Sequence, residues 1–418
     1  MASTTIQAKC DFCQKTLSKK SLWRHRKNCP NNKPLAPTFP PATFKPEPSI
    51  TITSFTDKDR KAVDTQAFIQ TIDRACVVDD SAISQTSCLQ ELHDLLSKPY
   101  TKPILWRGFT KHYPLPGTPS SISEFLEALK RYQIKELDVY DYMSNTDLNY
   151  KVSLDKIIEH FAKPPGSVHP LNFLDIRNYF ASAIPPPIFK ADILQLAWRR
   201  QEESVSKSIP QKFPLDHADR EFYLLSTQGS VSTIHADTAG VHTFISIITG
   251  SKYWYIPRQL GLVTSQTLAS FGSSTPEVYQ YGWIKIKLSP GDLLIMPPGC
   301  PHAVFTPKNT LAFGGTFYTL PSLGDSIRAL SLQIKTGDTF SNEDLSEQDY
   351  SNFVLMLSRC RDLLTPTQSA SISMGADWQV QDGSDWHATG QRNILSLAEE
   401  INCDLEKRFN LSSESLLQ

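Results

Sequence analysis

The chain has 418 residues, 40% of them apolar, and sets 42 Lys and Arg against 43 Asp and Glu. At roughly 100–200 residues per domain that length predicts two or three folded units, at least one with a sizeable core, and rules out wholesale disorder. No uninterrupted apolar run approaches the about 20 residues of a membrane span, and Met1-Ala2-Ser3-Thr4-Thr5-Ile6-Gln7 lacks a secretory h-region, so a soluble intracellular protein is expected.

The near-zero charge conceals an asymmetry. Residues 1–33 carry a net +7 and the remainder −8. Three of the eight cysteines also fall in this first segment, as Cys10-Asp11-Phe12-Cys13 and, eleven residues on, His25-Arg26-Lys27-Asn28-Cys29. Two cysteines on a tight knuckle, with a His and a Cys four apart on a helix, can converge tetrahedrally on Zn(II). The spacing predicts a zinc-finger-like module with ligands Cys10, Cys13, His25 and Cys29. It also predicts a helix over Ser18–Asn28 and a minimal core of Phe12, Leu17 and Leu22. A unit this small needs such a staple to fold. Lys19, Lys20, Arg24, Arg26 and Lys27 suit phosphate contacts with nucleic acid or a nucleosome, although a charge run also serves as a plain solvated face. The other five cysteines are scattered, which fits reduced thiols better than a disulfide framework.

Residues 34–55 are proline-rich and predict a semi-stiff linker. Helical spacing of apolar residues then predicts helices from Asp57 to about Val78 and from Thr86 to Lys98. Pro103–Phe109 reads as a short strand, Ser121–Arg131 as a helix opened by a Ser cap, Leu137–Tyr142 as a strand and Ser153–Phe161 as a helix. Between Phe222 and Tyr318 the pattern turns to short β runs: Thr243–Ile248, Tyr253–Ile256, Trp283–Leu288, Leu293–Met296 and Leu311–Tyr318. Strands in series with Gly and Pro between them predict a sandwich or barrel. Beyond Leu345 the pattern is helical again. The predicted units are therefore a basic module at 1–33, a linker at 34–55, a main domain at 56–335 and a helical region at 336–418.

A His-x-Asp motif occurs twice, at His217-Ala218-Asp219 and His235-Ala236-Asp237. About one such motif is expected by chance. A two-His-one-carboxylate site for Fe(II) needs its first two ligands on one face of a strand, where i and i+2 point the same way. His235 follows the strand-like Val231-Ser232-Thr233-Ile234, whereas His217 lies in the charged stretch Pro214–Glu221, which reads as a solvated loop. A keto-acid co-substrate also needs a cation. Lys252 stands seventeen residues after His235, just past a predicted hairpin turn at Gly250, while the equivalent position after His217 is Ile234. The second motif survives. A third ligand is offered by His302, where the apolar run Leu293–Met296 breaks at Pro297-Pro298-Gly299. His242 competes, but five residues past Asp237 it is poorly placed to close a facial site.

These blocks resemble the JmjC oxygenases, nearest the histone-lysine demethylase branch, over roughly residues 100–335. The likeness is carried by Leu137-Asp138-Val139-Tyr140-Asp141, Pro170-Leu171-Asn172-Phe173-Leu174-Asp175 and Trp198. It continues through Gly250-Ser251-Lys252-Tyr253-Trp254-Tyr255-Ile256-Pro257, His302-Ala303-Val304-Phe305-Thr306-Pro307 and Leu311-Ala312-Phe313-Gly314-Gly315-Thr316-Phe317. The resemblance implies an α+β fold, a cupin-like double-stranded β-helix (jelly-roll) with flanking helices and a helical C-terminal region. It implies Fe(II) bound by His235, Asp237 and His302, and 2-oxoglutarate bound through Lys252, Ser232 and Asn172. Ser232 lies an odd offset from His235, so sharing its face requires the strand to bend or end between them.

Two positions depart from the branch: Ile245 stands where it has a tyrosine contacting 2-oxoglutarate, and Thr316 where it has an asparagine. The first removes one hydrogen bond, about 1 kcal/mol; the second bears on the substrate. The resemblance implies a nuclear dioxygenase acting on a protein side chain, foremost a methyl-lysine of a histone tail. Three alternatives stand beside it: an idle chromatin-binding module, a hydroxylase of a non-histone protein, and an oxygenase of small molecules or nucleic-acid bases.

Overall fold

The computed structural model describes residues 7–9, 16–18, 65–144, 149–180, 185–194, 220–258, 282–336, 341, 345–363, 401–403 and 405. Near the N-terminus, Gln7–Lys9 (β1) and Thr16–Ser18 (β2) pair antiparallel across the six residues that include Cys10 and Cys13. Ser18, expected to open a helix, closes a strand instead because pairing with Gln7 claims its backbone. The four expected zinc ligands, and the rest of that expected helix, lie outside the described residues.

The helices of the N-terminal half are Thr65–Ala75 (α1), Leu89–Leu96 (α2), Phe109–His112 (α3), Ile122–Arg131 (α4) and Leu154–Ala162 (α5); α2 is shorter than expected, α4 and α5 lie within a residue of their expected bounds, and α3 is not predicted by the sequence. Their starts have chemical causes. Ser121 caps α4, its Oγ accepting from the Glu124 N–H at 3.1 Å, while the Glu124 carboxylate accepts from the Ser120 N–H at 2.8 Å. Each orphan donor of the first turn that is satisfied this way stabilises the helix by about 1 kcal/mol. Pro186–Ala191 (α6) begins on consecutive prolines, which need no N–H partner at a helix start.

Eleven strands form one mixed sheet in the order β3-β4-β12-β10-β13-β8-β7-β5-β6, with β11 paired to β10 and β9 to β13. These are Ser84–Thr86 (β3), Ile104–Trp106 (β4), Glu136–Tyr140 (β5), Asn149–Ser153 (β6), Asn172–Arg177 (β7), Glu221–Ser226 (β8) and Val231–His235 (β9). They continue with His242–Pro257 (β10), Trp283–Leu288 (β11), Leu293–Met296 (β12) and His302–Phe317 (β13). Trp283–Leu288 and Leu293–Met296 fall where the sequence predicts them; β6 and β7 are not predicted.

The two 16-residue strands β10 and β13 organise the sheet. The first part of β10 pairs with β12 and its second part with β11; β13 pairs first with β9 and then with β8. Each long strand thus crosses two faces of a curved structure. The sequence reading divides β10 at Gly250, which is incorrect, and predicts only the second part of β13. At Gly250, φ is +83° and a Cβ would lie 2.1 Å from the Asn309 carbonyl oxygen, so the residue makes a bulge against β13 rather than a reversal. On β13, Pro307 sits in the irregular stretch between Phe305 and Lys308, where its missing N–H breaks no regular ladder pairing.

The bulges also change which way side chains point. Ile245 and Ile247 share an apolar cluster with Trp254 and Ile256, odd positions before the irregularity and even positions after it. Lys252 is even and follows the bulge, so it joins the face that Ile245 lines. A second cluster, with Phe244, Phe313 and Tyr223, packs the opposite face against α2, α4 and α5. Leu323–Thr336 (α7) and Glu347–Leu363 (α8) build a third cluster that takes in Ala239 and Val241. No helix among the described residues is long and apolar enough to cross a membrane.

One further expectation fails. Of the stretch read as a solvated loop, Arg220 and Glu221 are buried. Arg220 pairs with buried Asp192 at 2.7 Å, and Glu221 starts β8, its carboxyl pushed up by burial and held by Asn178 at 2.6 Å. Residues 214–219, including His217, lie outside the described residues.

Candidate metal centre

His235 ends β9 and His302 begins β13, and the two stand directly opposite each other in the antiparallel pair. Their ring centroids are 4.3 Å apart. Asp237 follows His235 at the start of the turn 238–240. The donor atoms of His235, Asp237 and His302 all lie within 4.8 Å of one another, and His302 Nε2 is 3.8 Å from Asp237 Oδ1. Both rings are buried; Asp237 is partly open to solvent.

The tautomers follow from elementary chemistry. Nδ1 of His235 is 2.7 Å from the Thr233 carbonyl, and Nδ1 of His302 is 3.0 Å from the Cys300 carbonyl. A carbonyl only accepts, so each Nδ1 carries the proton and each Nε2 presents a lone pair. Such bonds from the far ring nitrogen fix a ligating histidine and raise its basicity. On the acid, Thr243 Oγ1 donates to Asp237 Oδ2 at 2.5 Å, leaving Oδ1 toward His302.

The register resolves the parity problem posed by Ser232. From the pair His302–His235 to the pair Val304–Ser232, β13 advances two residues while β9 advances three. That bulge carries Ser232 to the face of His235. Asn172 Nδ2 donates to the Val231 carbonyl at 2.7 Å and lies 3.4 Å from Ser232 Oγ, while its buried Oδ1 has no hydrogen-bond partner among the described residues.

Lys252 is 1% exposed. Its ammonium donates to Ser226 Oγ at 2.7 Å, and among the described residues no carboxylate pairs with it. Burial pulls it down to about 7. A buried ammonium without a counter-charge is costly, and an anionic ligand is the species that would relieve it. Ser226 was not anticipated; a serine on the inward face of the otherwise apolar Phe222-Tyr223-Leu224-Leu225 run was its available signal. Thr243 had none, since its link to Asp237 exists only once the turn at 238–240 brings the start of β10 back beside it.

His242 is excluded from the cluster. Its ring lies between Tyr100 and Phe317, Nδ1 is 2.6 Å from the Tyr100 hydroxyl, Nε2 is 3.2 Å from Thr319 Oγ1, and burial pulls it down to about 3. Ile245 is buried in the apolar wall beside Met296 and Val304. Cys300 is a buried thiol pushed up by desolvation, as expected of a small hydrophobe.

The site is a candidate two-histidine-one-carboxylate metal centre inside a curved β-sheet. Residues 195–323, which contain all three residues and Lys252, match the JmjC domain family. A match to that domain implies a cupin-like jelly-roll over this part of the chain. The chain is 29% identical over 216 residues to JmjC domain-containing histone demethylation protein 1 of Debaryomyces hansenii, covering 47% of this chain and 40% of that protein. It is 27% identical to histone lysine demethylase PHF8 of Danio rerio over 49% of this chain and 20% of that protein. It is 25% identical to lysine-specific demethylase 7A of Homo sapiens over 49% and 22%. The chain thus spans two fifths or less of the length of these relatives.

Proposed function

We propose that the chain is an Fe(II)- and 2-oxoglutarate-dependent oxygenase that acts on a protein side chain, foremost an N-methyl-lysine of a histone. The observation that carries this reading is the convergence of His235, Asp237 and His302 on a face shared with Lys252, a buried cation with no acidic partner. The donor set fits Fe(II), which prefers imidazole and carboxylate on one octahedral face with open positions for co-substrate and oxygen. When bound, the metal supplies coupled oxidative decarboxylation of the keto acid and hydroxylation of a C–H bond.

The chain's own residues hold and orient. His235 and His302 offer Nε2 because their Nδ1 protons are committed to Thr233 and Cys300. Thr243 fixes which Asp237 oxygen faces the histidines. Lys252, assisted by Ser226, neutralises the far carboxylate of 2-oxoglutarate, and Ser232 and Asn172 offer further polar contacts to it. Apolar Ile245, Met296 and Val304 exclude water from that wall. A hydroxylated N-methyl group collapses to formaldehyde and the demethylated amine. The relatives named as histone demethylases support a histone substrate and a nuclear setting. Zn(II) bound by Cys10, Cys13, His25 and Cys29, with nucleosome or nucleic-acid contact by the basic module, belongs to the same proposal.

The test is mass spectrometry of a methyl-lysine histone peptide panel after incubation with the protein, Fe(II) and 2-oxoglutarate, with succinate measured in parallel. A mass loss of one CH2 per methyl group removed, absent in Asp237→Ala, is expected. Equal succinate from both proteins would sink the enzyme reading. Ile245 favours a second reading: an apolar side chain replaces a hydroxyl in the co-substrate pocket, as in a module used for chromatin binding alone. Wild-type protein that binds histone peptides without succinate production would establish it.

A further inference from the structure

The turn that leaves Asp237 is held from outside the sheet. Ala239 has φ +60°, in the left-handed region that side chains other than Gly rarely enter. Two hydrogen bonds hold it and a third holds its neighbour Thr238. Gln333 Oε1 accepts from the Ala239 N–H at 2.8 Å, Gln333 Nε2 donates to Thr238 Oγ1 at 2.8 Å, and the Tyr318 hydroxyl donates to the Ala239 carbonyl at 2.8 Å. Gly240 continues at φ +65°, and a Cβ there would lie 2.1 Å from the Ser326 carbonyl oxygen. The backbone of α7 therefore rests directly on the turn.

Both clamping side chains are buried, Gln333 at 3% and Tyr318 at 2% exposure. A buried amide that spends both of its ends on the consecutive residues Thr238 and Ala239 reads backbone geometry; an apolar side chain would fill the same volume without doing so. Asp237 is bonded directly to Thr238, and its carboxylate is held on its other side by Thr243. Rotation of the turn about Ala239 would swing Asp237 away from His302.

We propose that Gln333 is a positioning residue for the Asp237 carboxylate, acting through the left-handed Ala239 with Tyr318 as its partner. The proposal rests on the metal reading above and deepens it, because Gln333 lies on α7, beyond the end of the JmjC match at residue 323.

The experiment titrates Co(II), an air-stable stand-in for Fe(II), into the full chain freed of metal, and follows visible absorption. Thermal melting and hydrogen exchange of the peptide containing Ala239 are recorded on the metal-free protein. Gln333→Met keeps the volume and removes both hydrogen bonds. It is expected to weaken Co(II) binding about 10–100-fold, the usual consequence of losing a group that orients a ligand. Exchange at 238–240 should quicken while the melting temperature moves by a few degrees at most. Adding Ala239→Gly should recover most of the lost affinity, because glycine adopts φ +60° without steric penalty.

Wild-type Co(II) affinity in Gln333→Met would overturn the proposal, as would a loss that Ala239→Gly leaves in place. Should Gln333→Met fail to fold, Tyr318→Phe, which removes one hydroxyl, is read by the same criteria. Wild-type protein that binds no Co(II) would remove the metal reading, and this inference with it; wild-type binding beside an unaffected Gln333→Met removes the clamp alone.

Discussion

Thr243 donates its hydroxyl proton to Asp237 Oδ2, joining the second residue of β10 to the carboxylate that follows β9. The bond leaves one carboxylate oxygen for a metal and commits the other to protein. Thr243→Val preserves shape and removes the donor. The half-saturating Fe(II) concentration for succinate production is expected to rise about tenfold, with a smaller change at saturating iron. An unchanged iron dependence would show that the bond does not orient the acid.

Lys252 sets an expected pH dependence. Its ammonium sits near 7 in the folded protein against 10.5 for the free side chain. Between those values the unfolded chain binds more protons, so the ligand-free protein should gain stability as pH rises from about 7 to about 10. Affinity for 2-oxoglutarate should move the opposite way, falling by up to about tenfold per pH unit above 7, since only the ammonium pairs with a carboxylate. Lys252→Met should flatten both trends. Calorimetric titrations at three pH values, with urea melts alongside, decide the matter.

Gly250→Ala tests the bulge. The added Cβ meets the Asn309 carbonyl, and φ +83° is strained for alanine. A loss of about 2–4 kcal/mol in urea-measured stability is expected from left-handed strain and overpacking together. A loss below about 0.5 kcal/mol would mean that β10 reshapes freely there.

Tyr100→Phe separates His242 from the metal cluster. It strands a buried imidazole nitrogen, which should lower stability by about 1–3 kcal/mol. The Fe(II) dependence of the folded fraction should be unaltered. A changed iron dependence would bring His242 back as a ligand.

Deletion of residues 1–33 removes the segment carrying a net +7. Salt-sensitive binding to nucleic acid, measured by fluorescence anisotropy at several ionic strengths, should disappear. Succinate production should stay near the intact level. Retained binding would assign the contact to the remaining chain.

Much of the site is legible in the sequence because it consists of short-range patterns. His235 and Asp237 share one strand end, His302 follows a Pro-Pro-Gly break, and Lys252 sits at a fixed distance from His235. What the residues alone do not reveal is pairing across long separations. The bulge that turns Ser232 inward is a mismatch between β9 and β13, visible only once Val304 lies opposite Ser232. Gly250 marks both a hairpin turn and a bulge equally well, and the choice is made by β13 running alongside both halves of β10. Arg220 and Glu221 look solvated because their partners, Asp192 and Asn178, are distant in the chain.

The pairing of His235 with His302 has a kinetic consequence. These residues belong to segments far apart in the chain, and β13 joins them only after the loop containing β10, β11 and β12 has closed. Such non-local closure is slow, because chain entropy is lost before contacts reward it. Two of the three metal-facing residues, His235 and Asp237, are neighbours in the chain, and only this closure brings His302 to them. If the centre holds iron as proposed, the ion would gain its third ligand only after that closure and would slow unfolding more than it speeds folding, so that iron supply would govern the lifetime of the folded protein.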